Sequence, residues 1–156
     1  MKKQLLALAV LALAAGTASA QANDTLAKIK SSGTVNLGVR DSSGLAFTIG
    51  GGKYVGFHTE MAERIVDDLK KVTGNPNLKI NYQVITSQNR IPLLQNGTID
   101  FECGSTTNNA GRQKDAAFAV TTFVDEVRTA VKANSGIKSV ADLNGKTVVT
   151  TTGTTS

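Results

Sequence analysis

The sequence has no tryptophan, one histidine and one cysteine in 156 residues. A single cysteine excludes a disulfide framework or a cysteine-rich zinc site within this chain. A single histidine excludes a multi-histidine metal centre. Any Ser-His-Asp or Cys-His arrangement would have to use His58. Aromatic residues are 4%, so a stacking surface for nucleic acid is not expected. Charge of one sign is also scarce, with 17 Lys and Arg against 12 Asp and Glu, +5 overall. What remains, 40% hydrophobic and 19% charged, is the composition of a soluble globular protein rather than a disordered chain. The length suits one domain.

The N-terminus does not read as fold. Lys2 and Lys3 precede an apolar run from Leu5 to Ala15, and Ala18-Ser19-Ala20 is a small-x-small cleavage signal. Residues 1–20 therefore read as a secretory signal peptide, cut before Gln21, which implies the periplasm. An apolar run of about eleven residues is too short to span a bilayer, which needs about 20. No cysteine stands at the cleavage site to anchor a lipid. Loss of the two lysines makes the basic surplus smaller still, too mild for a nucleic-acid partner.

Asp24 to Lys30 reads as a short helix with Asp24 as N-cap. Residues 34–40 alternate as a strand, and residues 41–53 form a turn-rich hairpin around Gly50-Gly51-Gly52. Residues 59–72 are the clearest helix, with Met61, Ile65, Leu69 and Val72 as its apolar stripe. Strands at 78–85, 98–103, 124–132 and 147–151 alternate with helices at 90–96 and 110–118 and a helical turn at 139–143. That alternation predicts an α/β fold with a parallel sheet. There is no internal repeat. The chain stops at Gly153-Thr154-Thr155-Ser156, where a helix is expected to open, so truncation is expected.

In open α/β sheets ligands bind beyond the carboxyl ends of the strands. The four rims read Arg40-Asp41-Ser42-Ser43, then 86–90 with Ser87 and Arg90, then 104–109 with Ser105 and Thr107, then 153–156 with Thr155. Arg112 follows the third. Pro92 lacks an N–H and must lie in the first turn of its helix, which places Asn89 at the N-cap and Arg90 in the first turn. Arg112 falls likewise after Asn109. A cation at a helix N-terminus opposes the macrodipole by about 0.3–1 kcal/mol when exposed. Two such placements point to a negative guest, because free N–H groups, hydroxyls and guanidinium forks are what a carboxylate or phosphate needs. The alternative is that the hydroxyls only cap helices and the arginines pair with surface carboxylates. Three inward arginines exceed the needs of one carboxylate and suit two.

The block 86–118, TSQNRIPLLQNGTIDFECGSTTNNAGRQKDAAF, resembles the bacterial periplasmic glutamate/aspartate-binding proteins, family 3 solute-binding proteins of ABC importers. GKTVVTTTGTTS at 145–156 resembles the opening of that family's second lobe. His58, after Gly56-Phe57, departs from the acidic residue the family carries there. The resemblance implies a bilobed type II periplasmic-binding (Venus-flytrap) fold. Residues 21–122 would be a first lobe lacking its C-terminal return, and residues 123–156 the beginning of the second. It further implies that Arg40 and Arg90 hold a ligand's side-chain carboxylate. Arg112 would hold the α-carboxylate, with Thr107 and Thr155, while Ser87 and Ser105 add hydrogen bonds. An acidic amino acid as ligand, an inner-membrane permease as transient partner, a monomer, and no cofactor or metal are the matching expectations. One lobe alone would leave the Arg–carboxylate pairs wet and the binding poor.

The remaining candidates read as structural. His58 is expected at the surface or as a cap, and Cys103 as a small buried hydrophobe. Asp67-Asp68 and Lys70-Lys71 form a solvated helix face. Asn96-Gly97-Thr98 reads as a helix stop, and Gly50-Gly51-Gly52 is too bare for a phosphate loop. Whether Glu102 pairs with an arginine stays open. Two further function classes compete with the transport receptor. One is a same-fold dehydratase, which would need a general acid or base near neutrality that the ligand-facing set lacks. The other is a ligand-sensing domain.

Overall fold

The computed structural model describes residues 24–41 and 43–156. The expected signal peptide at 1–20 and Ser42 of the first rim lie outside the described residues. Helix α1 (Thr25–Ser32) opens on Asp24, whose Oδ1 accepts the Ala27 N–H at 3.0 Å. This is the expected cap, since a short carboxylate satisfies an N–H with no partner in the helix. Strand β1 (Thr34–Val39) follows, then a hairpin of β2 (Phe47–Gly50) and β3 (Lys53–Val55). Gly50, Gly51 and Gly52 all carry positive φ at its turn, a run of left-handed conformations that residues with a Cβ resist. Then come α2 (Phe57–Thr73), β4 (Lys79–Val84), α3 (Arg90–Gln95) and β5 (Phe101–Glu102).

Strands β4, β1 and β5 form one parallel sheet in that order, with β1 in the middle. The α/β expectation holds for this part of the chain. A central parallel strand is covered on both faces, and Val35, Leu37, Gly38 and Val39 are all buried. Ile29, Val35, Val66 and Leu78 form one buried cluster. Leu37, Val39 and Ala62 form another, flanked by Tyr54, Tyr82 and Cys103. Full burial of side chains such as Leu37 or Val66 stabilises the fold by about 1.5–3 kcal/mol each. Cys103 is half-buried against this second cluster, less enclosed than expected.

Helix α2 buries a face offset from the expected stripe, of which Leu69 still packs against the core and Met61 is half-buried. His58, Thr59, Ala62, Val66 and Thr73 face inward. Ile65 is 40% exposed and Val72 63%. Ala62 lies against Leu37 and Val39. A small side chain there lets the helix backbone approach the sheet, so closeness of approach selects the face rather than apolar bulk.

His58 is not at the surface but 2% exposed. Its backbone N–H donates to Leu45 O at 3.0 Å, which draws the loop before β2 over it. Its Nε2 lies 3.3 Å from the Thr122 hydroxyl, and Nδ1 has no partner among the described residues.

Four expected elements are absent or reduced, the strand at 98–103 to Phe101–Glu102 alone. Residues 110–118 contain only a single 3-10 turn, Arg112–Lys114. Residues 124–132 and 147–151 form no strand and have no ladder partner among the described residues, with Val124 and Val149 largely exposed. A strand exists only through its ladder partner, and none lies beside these segments. The turn near 139–143 is a 3-10 turn, Val140–Leu143, opened by a reciprocal Ser139–Asp142 capping box. No helix among the described residues is long and apolar enough to cross a membrane.

Two tests follow from this packing. The Asp100 carboxylate is 1% exposed and joins three elements: it accepts the Asn36 N–H at 2.7 Å and the Lys28 ammonium at 2.8 Å. Asp100→Ala leaves the half-buried Asn36 N–H unsatisfied and removes the Lys28 partner, and chemical denaturation should register a loss of about 1–3 kcal/mol. The second concerns His58, whose pKa is lowered by burial. The unfolded chain then binds a proton that the fold does not accept, so stability is complete above about pH 6.5 and is lost as pH falls below it. The stability difference between the native protein and His58→Gln should therefore narrow on acidification; a difference independent of pH would contradict a buried neutral imidazole.

Candidate functional site

Arg40 follows β1 directly, and its Nη1 donates to Ser87 Oγ at 3.2 Å in the loop after β4. Two rims are thereby joined at their carboxyl ends, as the strand order requires. Arg90 is the first residue of α3, with Pro92 in the same turn. The expected Asn89 cap on this helix is not made. Its Oδ1 instead accepts the Thr86 N–H at 2.7 Å, and Thr86 Oγ1 accepts the Asn89 N–H at 3.2 Å. This closes the loop rather than the helix.

Arg90 is 2% exposed, and its Nε and Nη1 have no partner among the described residues. A buried guanidinium with unused donors is costly unless something completes it. Arg112 begins the 3-10 turn after β5; the helix expected to be capped at Asn109 does not form and the turn's N-cap is Gly111, but Asn109 Oδ1 accepts the Arg112 backbone N–H at 2.9 Å. Its side chain reaches two carbonyls, Thr107 O at 3.1 Å and Gly153 O at 2.8 Å. Thr107 and Thr155 hydroxyls meet at 3.1 Å. Six of the seven expected site residues thus stand in a connected or charge-coupled set. Ser105 is exposed in the loop between Glu102 and Thr107.

The electrostatics bring the three arginines together with a residue whose partner had been left open. Burial lowers the Arg90 pKa; Glu102 opposes that shift, while the charges of Arg112 and Arg40 add to it. Burial raises the Glu102 carboxyl pKa, against the pull of Arg90, Arg40 and Arg112. Glu102 sits at the end of β5 opposite Gly38, where the missing side chain leaves it room. Its Oε1 accepts the Thr106 hydroxyl, while Oε2 is buried without a hydrogen-bond partner among the described residues. It is charge-coupled to the arginines without forming an ion pair with any of them. Three guanidinium groups and one carboxylate leave an excess of two positive charges, a site for anions.

An open groove of about 450 Å³ is lined by residues that include Ser87, Pro92, Arg112, Gly153 and Thr155, and also by the Asp115 carboxylate, which offsets part of the positive charge there. Arg40 and Arg90 lie outside its lining. Gly153 is the residue that sequence reasoning passed over. Its φ is +79°, and a Cβ there would stand 2.5 Å from Ser87 O and 2.7 Å from Gln88 Cα. Backbone packed that closely has no room for a side chain. The 153–156 segment therefore docks on the loop that carries Ser87, which holds Thr155 beside Thr107. Gly153→Ala should raise amide exchange at residues 153–156 by at least about tenfold while leaving the melting temperature nearly unchanged. Unaltered exchange would show that the close approach is not what holds the segment.

Comparison with known proteins places this geometry in context. Bacterial extracellular solute-binding proteins, family 3, match residues 35–152. The chain is 46% identical over 162 aligned positions to a glutamate/aspartate import solute-binding protein of Salmonella typhimurium, covering 100% of this chain and 54% of that protein. It is 46% identical over 157 positions to an L-glutamate/L-aspartate-binding protein of Pseudomonas aeruginosa, covering 97% and 52%. The chain thus spans about half the length of the curated relatives it matches. Among solved structures, a point mutant of the arginine-bound form of domain 1 from TmArgBP is similar at a TM-score of 0.53 and 25% identity, covering 71% of this chain and 75% of that one. Parallel β4-β1-β5 order, rims carrying arginine and hydroxyls, and a family match over most of the sequence agree: the chain belongs to the bacterial extracellular solute-binding proteins of family 3.

Proposed function

We propose that this protein captures acidic amino acids, glutamate or aspartate, and delivers them to an ABC importer. The observation that carries the reading is Arg90, buried at the start of α3 with Nε and Nη1 unpartnered among the described residues, on a rim where Ser87 holds Arg40 and two backbone carbonyls hold Arg112. One carboxylate needs about one bidentate arginine, and a cluster of three suits a ligand with two. The 46% identity to binding proteins named for glutamate and aspartate supports the same ligand class.

In this reading Arg90, with its unused Nε and Nη1, and Arg40 hold the side-chain carboxylate. Arg112 holds the α-carboxylate, oriented by its bonds to Thr107 O and Gly153 O. Ser87, Ser105, Thr107 and Thr155 supply hydroxyls. Residues 21–122 belong to one lobe and residues 123–156 begin a second. Closure between lobes excludes water and strengthens the arginine–carboxylate pairs. Residues 1–20 direct export to the periplasm, where a monomer meets its permease transiently. The protein binds without turnover, because the hydroxyls and guanidinium groups lining the site do not exchange protons near neutrality. Of the two carboxylates nearby, Glu102 is buried and bonded to Thr106, and Asp115 at the groove accepts from the Gln95 amide.

Calorimetry decides the reading. Glutamate or aspartate should bind, weakly where water reaches the arginine–carboxylate pairs, and glutamine and arginine at least about tenfold more weakly still, the equivalent of about 1.4 kcal/mol. Arg90→Lys replaces a planar fork with a point charge and should weaken glutamate by about 10- to 100-fold. Equal affinity for glutamine, or an unaffected Arg90→Lys variant, would contradict the assigned roles.

A further inference from the structure

We propose that His58 is a pH-operated latch: when neutral it pins Thr122, and with it the stretch 117–132, to the first sheet, and when protonated it lets that stretch go while the sheet stays folded. The inference stands apart from the identity of the ligand.

It starts from how little holds this stretch. Among the described residues, 117–152 makes one hydrogen bond to the chain before it, between Thr122 Oγ1 and His58 Nε2 at 3.3 Å. Its other hydrogen bonds close within 117–156, as Glu126 does on Asp125 and Ser139 on Asp142. Neither buried cluster takes a residue from it, and Val120, Val124 and Val127 stand exposed. The chain is fastened again at its far end, where Gly153 O accepts from Arg112 and Thr155 meets Thr107. A segment with few buried apolar contacts and a single long-range hydrogen bond opens at low cost.

The other side of the latch is firm. The His58 backbone N–H donates to Leu45 O at 3.0 Å, and the Phe57 ring lies 5.3 Å from the imidazole. The covering loop is braced on itself, since the Ser43 N–H donates to Ala46 O at 2.9 Å and Ser43 Oγ accepts the Ala46 N–H at 3.0 Å. When the buried ring must reach water, the weakly held stretch gives way before the loop does.

Protonation creates that need. It makes both ring nitrogens donors, and Nδ1 has no acceptor among the described residues. The charged groups of the surrounding elements are Glu60 on α2, Asp41 before the covering loop, Lys53 on β3 and Asp125 on the stretch itself, all exposed. Burial is what acts on the imidazole, and it favours the neutral form. A cation formed there would be buried with an unused N–H and no bonded counter-charge. Departure of Thr122 opens the Nε2 edge to water and removes those costs. The proton comes from solvent. Below about pH 6.5, the ordinary imidazole value, release is favoured by up to about tenfold per pH unit.

The experiment is a nuclear magnetic resonance titration of the full chain from about pH 8 to about pH 5, following the His58 ring and the backbone order of residues 119–124. The ring should titrate below about 6.5, and the order parameters of 119–124 should fall with the same midpoint from about 0.85 to below about 0.6. Those of β1 should not change. Thr122→Val keeps the β-branched shape at an exposed position, and it should free 119–124 already at about pH 8. His58→Gln retains an amide donor for Thr122 and should hold the stretch at both ends of the titration. Order in 119–124 that is unaffected while the ring titrates overturns the proposal. So does a stretch already mobile in the native protein at about pH 8, a Thr122→Val variant that stays rigid, or β1 losing order together with the stretch. If His58→Gln does not fold, the native and Thr122→Val titrations decide alone.

Discussion

Guanidinium groups repel one another, and a fold that gathers three of them at one rim must supply something negative. Here that pressure is greatest at Arg90, which is buried with two nitrogens unused. Burying a charge without a partner costs several kcal/mol even after relaxation. Glu102 relieves part of this through its charge, and an anionic guest would relieve the rest. The position of every other part of the site answers to the same constraint. Gly38 leaves space beside Glu102, Ser87 ties Arg40 to the next rim, and Gly153 brings a carbonyl to Arg112.

A binding site held in this way differs from a rigid cage. Arg112 is oriented by two backbone carbonyls, which fix its plane without neutralising it. Arg40 is steadied by a hydroxyl. Only Arg90 lacks a hydrogen-bonded orientation at Nε and Nη1, and it is also the one with least access to water. The cluster is therefore graded: two cations are prepositioned at half-exposed sites and one is held in reserve below them. Such an arrangement favours a dicarboxylate, since one carboxylate leaves a positive charge without its counterpart.

Much of this was legible in the sequence where local chemistry decides it. Pro92 fixed the start of α3 because it cannot donate, and that alone placed Arg90 in the first turn. Asn109 could be read as a cap because its short amide reaches a free N–H, and it does so for Arg112. Asp24 was legible for the same reason. What could not be read depended on the approach of distant segments. The buried face of α2 follows Ala62, whose small size matters only once the helix lies on β1. His58 is covered by the loop at Leu45, remote in sequence. The strands expected at 124–132 and 147–151 carry β-branched residues, yet extended chain becomes sheet only beside a partner. For Glu102 the sequence leaves open whether it pairs with an arginine. Only its proximity to three arginines reveals its place, and no spacing in the sequence encodes that proximity. Gly153 stood in plain view beside Thr154, but its need to be glycine comes from Ser87, far back in the chain.

The account stands on three guanidinium groups answering to a single guest. Side-chain nuclear magnetic resonance of the Arg40, Arg90 and Arg112 Nε–H groups during a glutamate titration reads this most directly. If the account is right, all three signals move and reach saturation at one common ligand concentration. Three separate midpoints, or a signal among the three that does not respond, would contradict it.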